Sequence, residues 1–251
     1  MTNAPCCLIE KPVDLQAAYE TAIAENPANR LTSVPGRKKR AVARHTYFWA
    51  PGRTLRIAFL NGDQSFKDAV KAAANNWLPH INLKFEFIEG EEGDIRIKSE
   101  PGVYWSHIGT SALTETDQSL PTMLLSPDHQ LSLKFFNANT MHEFGHVLGA
   151  EHEHLHPESN IPWNRQAVYA AHGVPEGADE DNYTRRIVDA RYFNLLDPSE
   201  VVHSPYDPKS IMHYPVQQDW TEGDFEIYLN LVLSEKDKAF MAEVYPSSTT
   251  D

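Results

Sequence analysis

The sequence predicts an α+β domain, and three observations carry that prediction. Thr54 to Leu60, Leu83 to Ile88 and Asp94 to Lys98 alternate or cluster apolar residues as strands do, while Phe66, Val70, Ala73 and Trp77 recur at helical spacing. Beyond about residue 150 the pattern turns irregular, so a strand-and-helix half precedes a loop-rich half, an order that suits two lobes facing across a cleft. A chain of 251 residues with 41% hydrophobic and 23% charged residues can bury a sizeable core and is far from the composition of disorder.

The first element is a short amphipathic helix from Val13 to Asn26, with Leu15, Tyr19, Ala22 and Ile23 on one face. A polar, Pro- and Gly-containing segment follows to about Arg44 and reads as a linker. It carries Arg37-Lys38-Lys39-Arg40, with Arg44 just beyond, which is either a solvated loop or a processing or localisation signal. After the three strands and the Phe66 helix comes a loop-rich region with Trp105, His107 and Gly109, where Trp105-Ser106-His107 is a candidate lining for a substrate cleft. A strand at Thr122 to Ser126 precedes a motif-bearing helix. Helical patterns recur near Arg165 to His172 and Asn182 to Ala190, and a last helix runs from Glu235 to Val244, capped by Ser234 and stopped by Pro246. There is no internal repeat and no low-complexity tract.

A formal charge of −13 argues against nucleic acid or an anionic membrane as partner. No apolar run approaches the roughly 18 residues that would span a bilayer, and the first residues lack an apolar stretch behind a basic one. Delivery outside the cell by a leaderless route is therefore expected, with a cytoplasmic location as the alternative. The adjacent Cys6 and Cys7 are the only cysteines and make no disulfide framework. They are either incidental thiols in a tail or a source of thiolate that reaches and blocks a zinc ion.

His142-Glu143-Phe144-Gly145-His146 sets two imidazoles four residues apart, on one face of a helix where both reach one metal. Glu143 lies on the adjacent side of that turn, placed to take a proton from a metal-activated water. Thr140-x-x-Glu143 also fits a capping box, though Asn137 or Asn139 can cap the helix instead. Gly149 can turn the chain sharply and return His152 to the same ion. The full pattern, His142-Glu143-x-x-His146-x-x-Gly149-x-x-His152, is the metzincin signature. Three neutral histidines leave an open fourth position, as one catalytic Zn2+ requires.

Sixty residues on, Ser210-Ile211-Met212-His213-Tyr214 narrows the likeness: the chain resembles the astacin family of zinc metallopeptidases. The resemblance implies a metzincin-type two-lobed catalytic domain. A twisted mixed sheet and the active-site helix form the upper lobe, and the irregular lower lobe carries a Met-turn. It implies that Met212 floors the site, and that Tyr214 is a displaceable fifth ligand and a catalytic hydroxyl beside Glu143. His213 beside it has a supporting or surface role. The resemblance further implies that Glu153 receives a new amino terminus after maturation, against the plainer reading of an ordinary hydrogen bond or ion pair. The chain lacks the disulfides of animal astacins and reads Leu155-His156-Pro157-Glu158 after the motif, closer to microbial disulfide-free members.

Residues 1–44 are thus expected to be an N-terminal extension, a pro-segment or a linker, and residues 45–251 the catalytic domain. The expected activity is endopeptidase cleavage of protein or peptide substrates by a monomer, the substrate extended along a sheet edge. The alternatives are a precursor that stays inactive until its N-terminal segment is removed, and a zinc-binding interaction module without catalysis. His45, His80, His107, His129, His156, His172 and His203 have no ligand spacing and are expected to be ordinary core or surface residues.

Overall fold

Apolar alternation places the two most deeply buried strands, β2 (Thr54–Phe59) and β4 (Ile95–Ser99), side by side at the middle of a sheet. The structure is a computed structural model and describes residues 7–30 except 11 and 13, 46–90, and 92–247. Its remaining strands are β1 (Cys7–Glu10), β3 (Lys84–Glu89), β5 (Tyr104–His107) and β6 (Met123–Leu125). The sheet order is β1-β5-β6-β4-β2-β3, with β5 antiparallel to β6 and every other pair parallel. The mixed α+β architecture expected from the sequence is present.

One expectation needs correction. Trp105 and His107 do not lie in a loop but on β5, with a 3-10 segment, Gly109–Thr114, only after it. The strand is four residues long and its buried positions are Tyr104 and Ser106, so one small polar residue stands where alternation looks for an apolar one.

Helices α2 (Gln64–Ala74) and α3 (Leu133–Val147) pack together, and Phe66 meets Phe136 edge to face. Asp63 caps α2, and Phe66, Val70 and Ala73 form its buried face as their spacing predicts. Two indoles hold α3: Trp77 Nε1 donates to the Met141 carbonyl at 3.0 Å and Trp49 Nε1 to Val147 at 2.7 Å. The main core joins this helix pair to the sheet, and includes Met212 and Tyr245. A second cluster gathers Tyr169, Val188, Tyr192, Phe193 and Tyr214 from the later half, around α4 (Arg165–Ala171) and α5 (Tyr183–Val188). The chain closes on α6 (Glu235–Val244), whose cap is Ser234 as expected and whose capping box is completed by Asp237.

The N-terminal segment is built into this frame. β1 extends the sheet beyond β5, and α1 (Leu15–Glu25) packs on the segment after β5. Asn29 is fully buried, donates to the carbonyls of Ala22 and Phe48, and accepts from Thr46 Oγ1 and the Phe48 amide. Glu25 pairs with Arg53 at 2.9 Å. The basic run, Arg44, His45 and Cys6 lie outside the described residues. Among those described, no helix is long and apolar enough to cross a membrane.

Candidate active site and metal centre

The motif lies on the last two turns of α3, which begins after Ser132, so Asn137, Asn139 and Thr140 are interior residues and cap nothing. Glu143 is therefore not a capping-box residue. His142 and His146 sit one turn apart with ring centroids 4.8 Å from each other. Gly149 then takes φ +92°, and a Cβ there would lie 2.7 Å from the Phe48 ring, so both backbone and space demand glycine. This turn returns His152 until its Nε2 is 3.1 Å from that of His146. The three predicted histidines are thus brought together.

Backbone carbonyls set the rings. His142 Nδ1 lies 2.7 Å from the Ile211 carbonyl and His146 Nδ1 2.8 Å from Ala150. Both contacts make Nδ1 the donor, which leaves Nε2 of each ring with its lone pair turned into the cluster. His142 Nε2 is buried and has no hydrogen-bond partner among the described residues. Burial pushes His142 down to about 4 and His146 and His152 well below the ordinary histidine range, so all three are neutral, as metal ligands must be.

A fourth residue joins them. Cys7 Sγ lies 3.5 Å from His146 Nε2, and the four candidate ligand atoms all fall within 4.8 Å of one another. Tetrahedral zinc places its nitrogen and sulfur ligands roughly 3.3–3.6 Å apart, so the His146–His152 and His146–Cys7 separations suit the ion, and the widest pair would draw in around it. Of the two thiol readings, the described cysteine satisfies the one that reaches the metal site.

Glu143 is fully buried beside the cluster, and neither carboxylate oxygen makes a well-formed hydrogen bond among the described residues. Burial pushes its carboxyl up to about 8, against a smaller opposite pull from the Cys7 thiol. Such a group suits proton exchange near neutral pH.

Tyr214 packs its ring 4.3 Å from that of His152, and its hydroxyl donates to the Cys7 carbonyl. His154 also stacks on the Tyr214 ring, at 4.3 Å, and is anchored through Nε2 to the Arg191 carbonyl. Met212 lies under α3, close enough that a Cβ on Gly145 would meet its sulfur at 2.2 Å. Glu153 accepts the Asp207 amide at 2.7 Å and lines a cavity of about 120 Å³ with Asp207, Asp237 and Lys236. Burial raises its carboxyl to about 8. His213 is buried and meets Tyr206 Oη at 2.7 Å. His107, His129, His156, His172 and His203 stay out of the metal cluster.

Sequence reasoning left Asp237 out of the site. Ser234-x-x-Asp237 signals a capping box, and its wider reach is not local to the sequence.

No family model matches the chain. A solved structure of myroilysin is 34% identical over 80% of this chain and 96% of that one, with a TM-score of 0.72. A second myroilysin structure is 32% identical, covers 88% and 96%, and has a TM-score of 0.61. High choriolytic enzyme 1 of the medaka fish Oryzias latipes, a hatching enzyme zinc-protease, is 16% identical at a TM-score of 0.51 and shares the fold. Nematocyst expressed protein 6 of Nematostella vectensis is 26% identical over 222 residues, 87% of this chain and 70% of that protein. With a third of the aligned residues identical to myroilysin over four fifths of this chain and nearly all of that one, the chain belongs to the astacin-family zinc metallopeptidases and is a metalloendopeptidase that uses one catalytic zinc.

Proposed function

We propose that the chain cleaves peptide bonds in proteins at a zinc ion held by His142, His146 and His152, with Glu143 as general base and Tyr214 as a displaceable ligand and oxyanion donor. The observation that carries this reading is the convergence of three neutral imidazole Nε2 atoms beside a buried carboxylate whose oxygens lack well-formed hydrogen bonds. Zinc, when bound, polarises the scissile carbonyl and brings water's pKa to roughly 7. Glu143 takes the proton of the attacking water and passes it to the leaving amine. The Tyr214 hydroxyl turns from its present acceptor to the oxyanion. Met212 and its turn floor the site, between an upper lobe built on the sheet and a lower lobe built on the second aromatic cluster. Glu143→Ala is the test: it must abolish cleavage of a quenched fluorescent peptide while zinc stays stoichiometric. Undiminished turnover in that variant would remove Glu143 as the general base, whereas a zinc-loaded parent that cleaves nothing even after activation would favour a non-catalytic zinc module.

A second reading is favoured by Cys7: residues 1–44 form a latency segment, and the chain that carries them is a precursor. Cys7 occupies the position a substrate carbonyl needs, and β1 covers the β5 edge along which an extended substrate would pair. Severance within the basic segment frees both, and the new amino terminus reaches Glu153 in its acidic cavity. Delivery outside the cell accords with such a form. Limited proteolysis or thiol modification should raise activity, and an unchanged rate after either would count against latency.

A further inference from the structure

The turn carrying Met212 is held from the far end of the chain. Asp237, the third residue of α6, is buried, and its two oxygens collect three donors: Ser210 Oγ at 2.6 Å, the Ile211 amide at 2.8 Å and the Ser234 amide at 2.8 Å. Ser210 Oγ in turn accepts the Met212 amide at 3.0 Å. One carboxylate therefore gathers every N–H of the turn from Ile211 to Met212, directly or through one hydroxyl. The carbonyls of the same two residues face the other way, toward the metal site. Ile211 O receives His142 Nδ1 at 2.7 Å, and Met212 O receives the Glu153 amide, next to His152, at 3.0 Å. A rigid peptide plane links each amide to the carbonyl before it, so holding the Met212 amide on Ser210 Oγ fixes the Ile211 carbonyl that His142 meets.

We propose that Asp237 is a positioning residue of the metal centre: by clamping Ser210 and Ile211 it holds the Ile211 carbonyl that orients His142, and thereby sets the affinity for zinc. The inference rests on the three-histidine ligand assignment. An outer acceptor that fixes a ligating imidazole contributes about 10- to 100-fold to metal affinity, and Asp237 acts on that acceptor through the Ser210 hydroxyl and the Met212 amide. A role confined to the helix cap predicts something else, because Ser234→Ala removes the capping hydroxyl yet leaves the contacts of Asp237 with Ser210 and Ile211 in place.

The experiment is zinc affinity of the full chain by competition with a chromophoric chelator, with thermal unfolding of the zinc-free forms alongside. Asp237→Ala is expected to bind zinc about tenfold more weakly, and Ser234→Ala to stay within about twofold of the parent despite a lowered Tm. Should Asp237→Ala not fold, Asp237→Asn, of the same size but with one acceptor turned donor, carries the same expectation. Parent-like zinc affinity in the folded Asp237 variant would overturn the proposal and reduce Asp237 to a cap. His142→Ala separates the two claims: zinc retained there removes the ligand assignment and the anchor with it, whereas zinc lost there but kept by the Asp237 variant overturns the anchor alone.

Discussion

In the proposed mechanism the chemistry turns on Glu143, and its buried environment supports that role. A carboxylate sealed from water and without well-formed hydrogen bonds resists ionisation, so it takes up a proton readily and gives it up again once charge shifts nearby. Glu143→Gln should lower kcat by about 10²- to 10⁴-fold in the activated enzyme while leaving the zinc content at one per chain, measured by steady-state cleavage and metal analysis. Gly145 makes a second, purely steric prediction. Its missing Cβ is what lets the Met212 sulfur approach α3. Gly145→Ala should cost about 1–3 kcal/mol in urea unfolding, as overpacking of a filled core does. A variant as stable as the parent would show that the turn can retreat. At this scale much was legible from sequence, because a helix repeats every 3.6 residues and two ligands with their general base lie within five positions. Cys7 was legible only as chemistry; its partner His146 stands 139 residues away, and no local pattern joins them.

Among the elements, α3 and α6 stand out because the last turns of α3 carry the histidine pair and the first turn of α6 holds the Met212 turn. Ser234, the α6 boundaries and the Phe66 face of α2 follow from capping and periodicity, which are short-range rules. β5 escaped those rules, being too short and half polar to show a period. β1 pairs with it in parallel, so this strand pair is settled by the fold rather than by a hairpin. Cys7→Ala should raise the basal cleavage rate of the full chain, since it vacates the position nearest the histidines. The gain should be smaller than that from severing residues 31–44, because β1 still lies on β5; comparison of the two rates checks it. Equal rates for parent and Cys7→Ala would mean that the strand alone confers latency.

For the whole molecule, the buried histidines tie stability to pH. Burial pushes His154 to about 3 and His213 to about 4, against an ordinary value near 6.5 that the unfolded chain regains, and in the zinc-free chain it lowers His142, His146 and His152 as well. The unfolded state binds more protons at these five rings below about 6.5, so their contribution is full above it and falls as pH drops; Glu143 and Glu153, raised to about 8, act in the opposite sense but are two against five. Tm of the zinc-free chain should decline from pH 7 to pH 5, and a flat profile would contradict neutral burial of these rings. The sequence carried the α+β class because strand and helix periods are local. It did not carry the sheet order, or the burial of the N-terminal segment through Asn29 and Glu25, because these depend on which distant surfaces meet. The measurement that tests the central claim most directly is peptide cleavage by the chain severed within residues 31–44, stripped of metal and titrated with zinc. Activity absent without metal and complete at one equivalent is the predicted result; cleavage that persists in the stripped protein would contradict it.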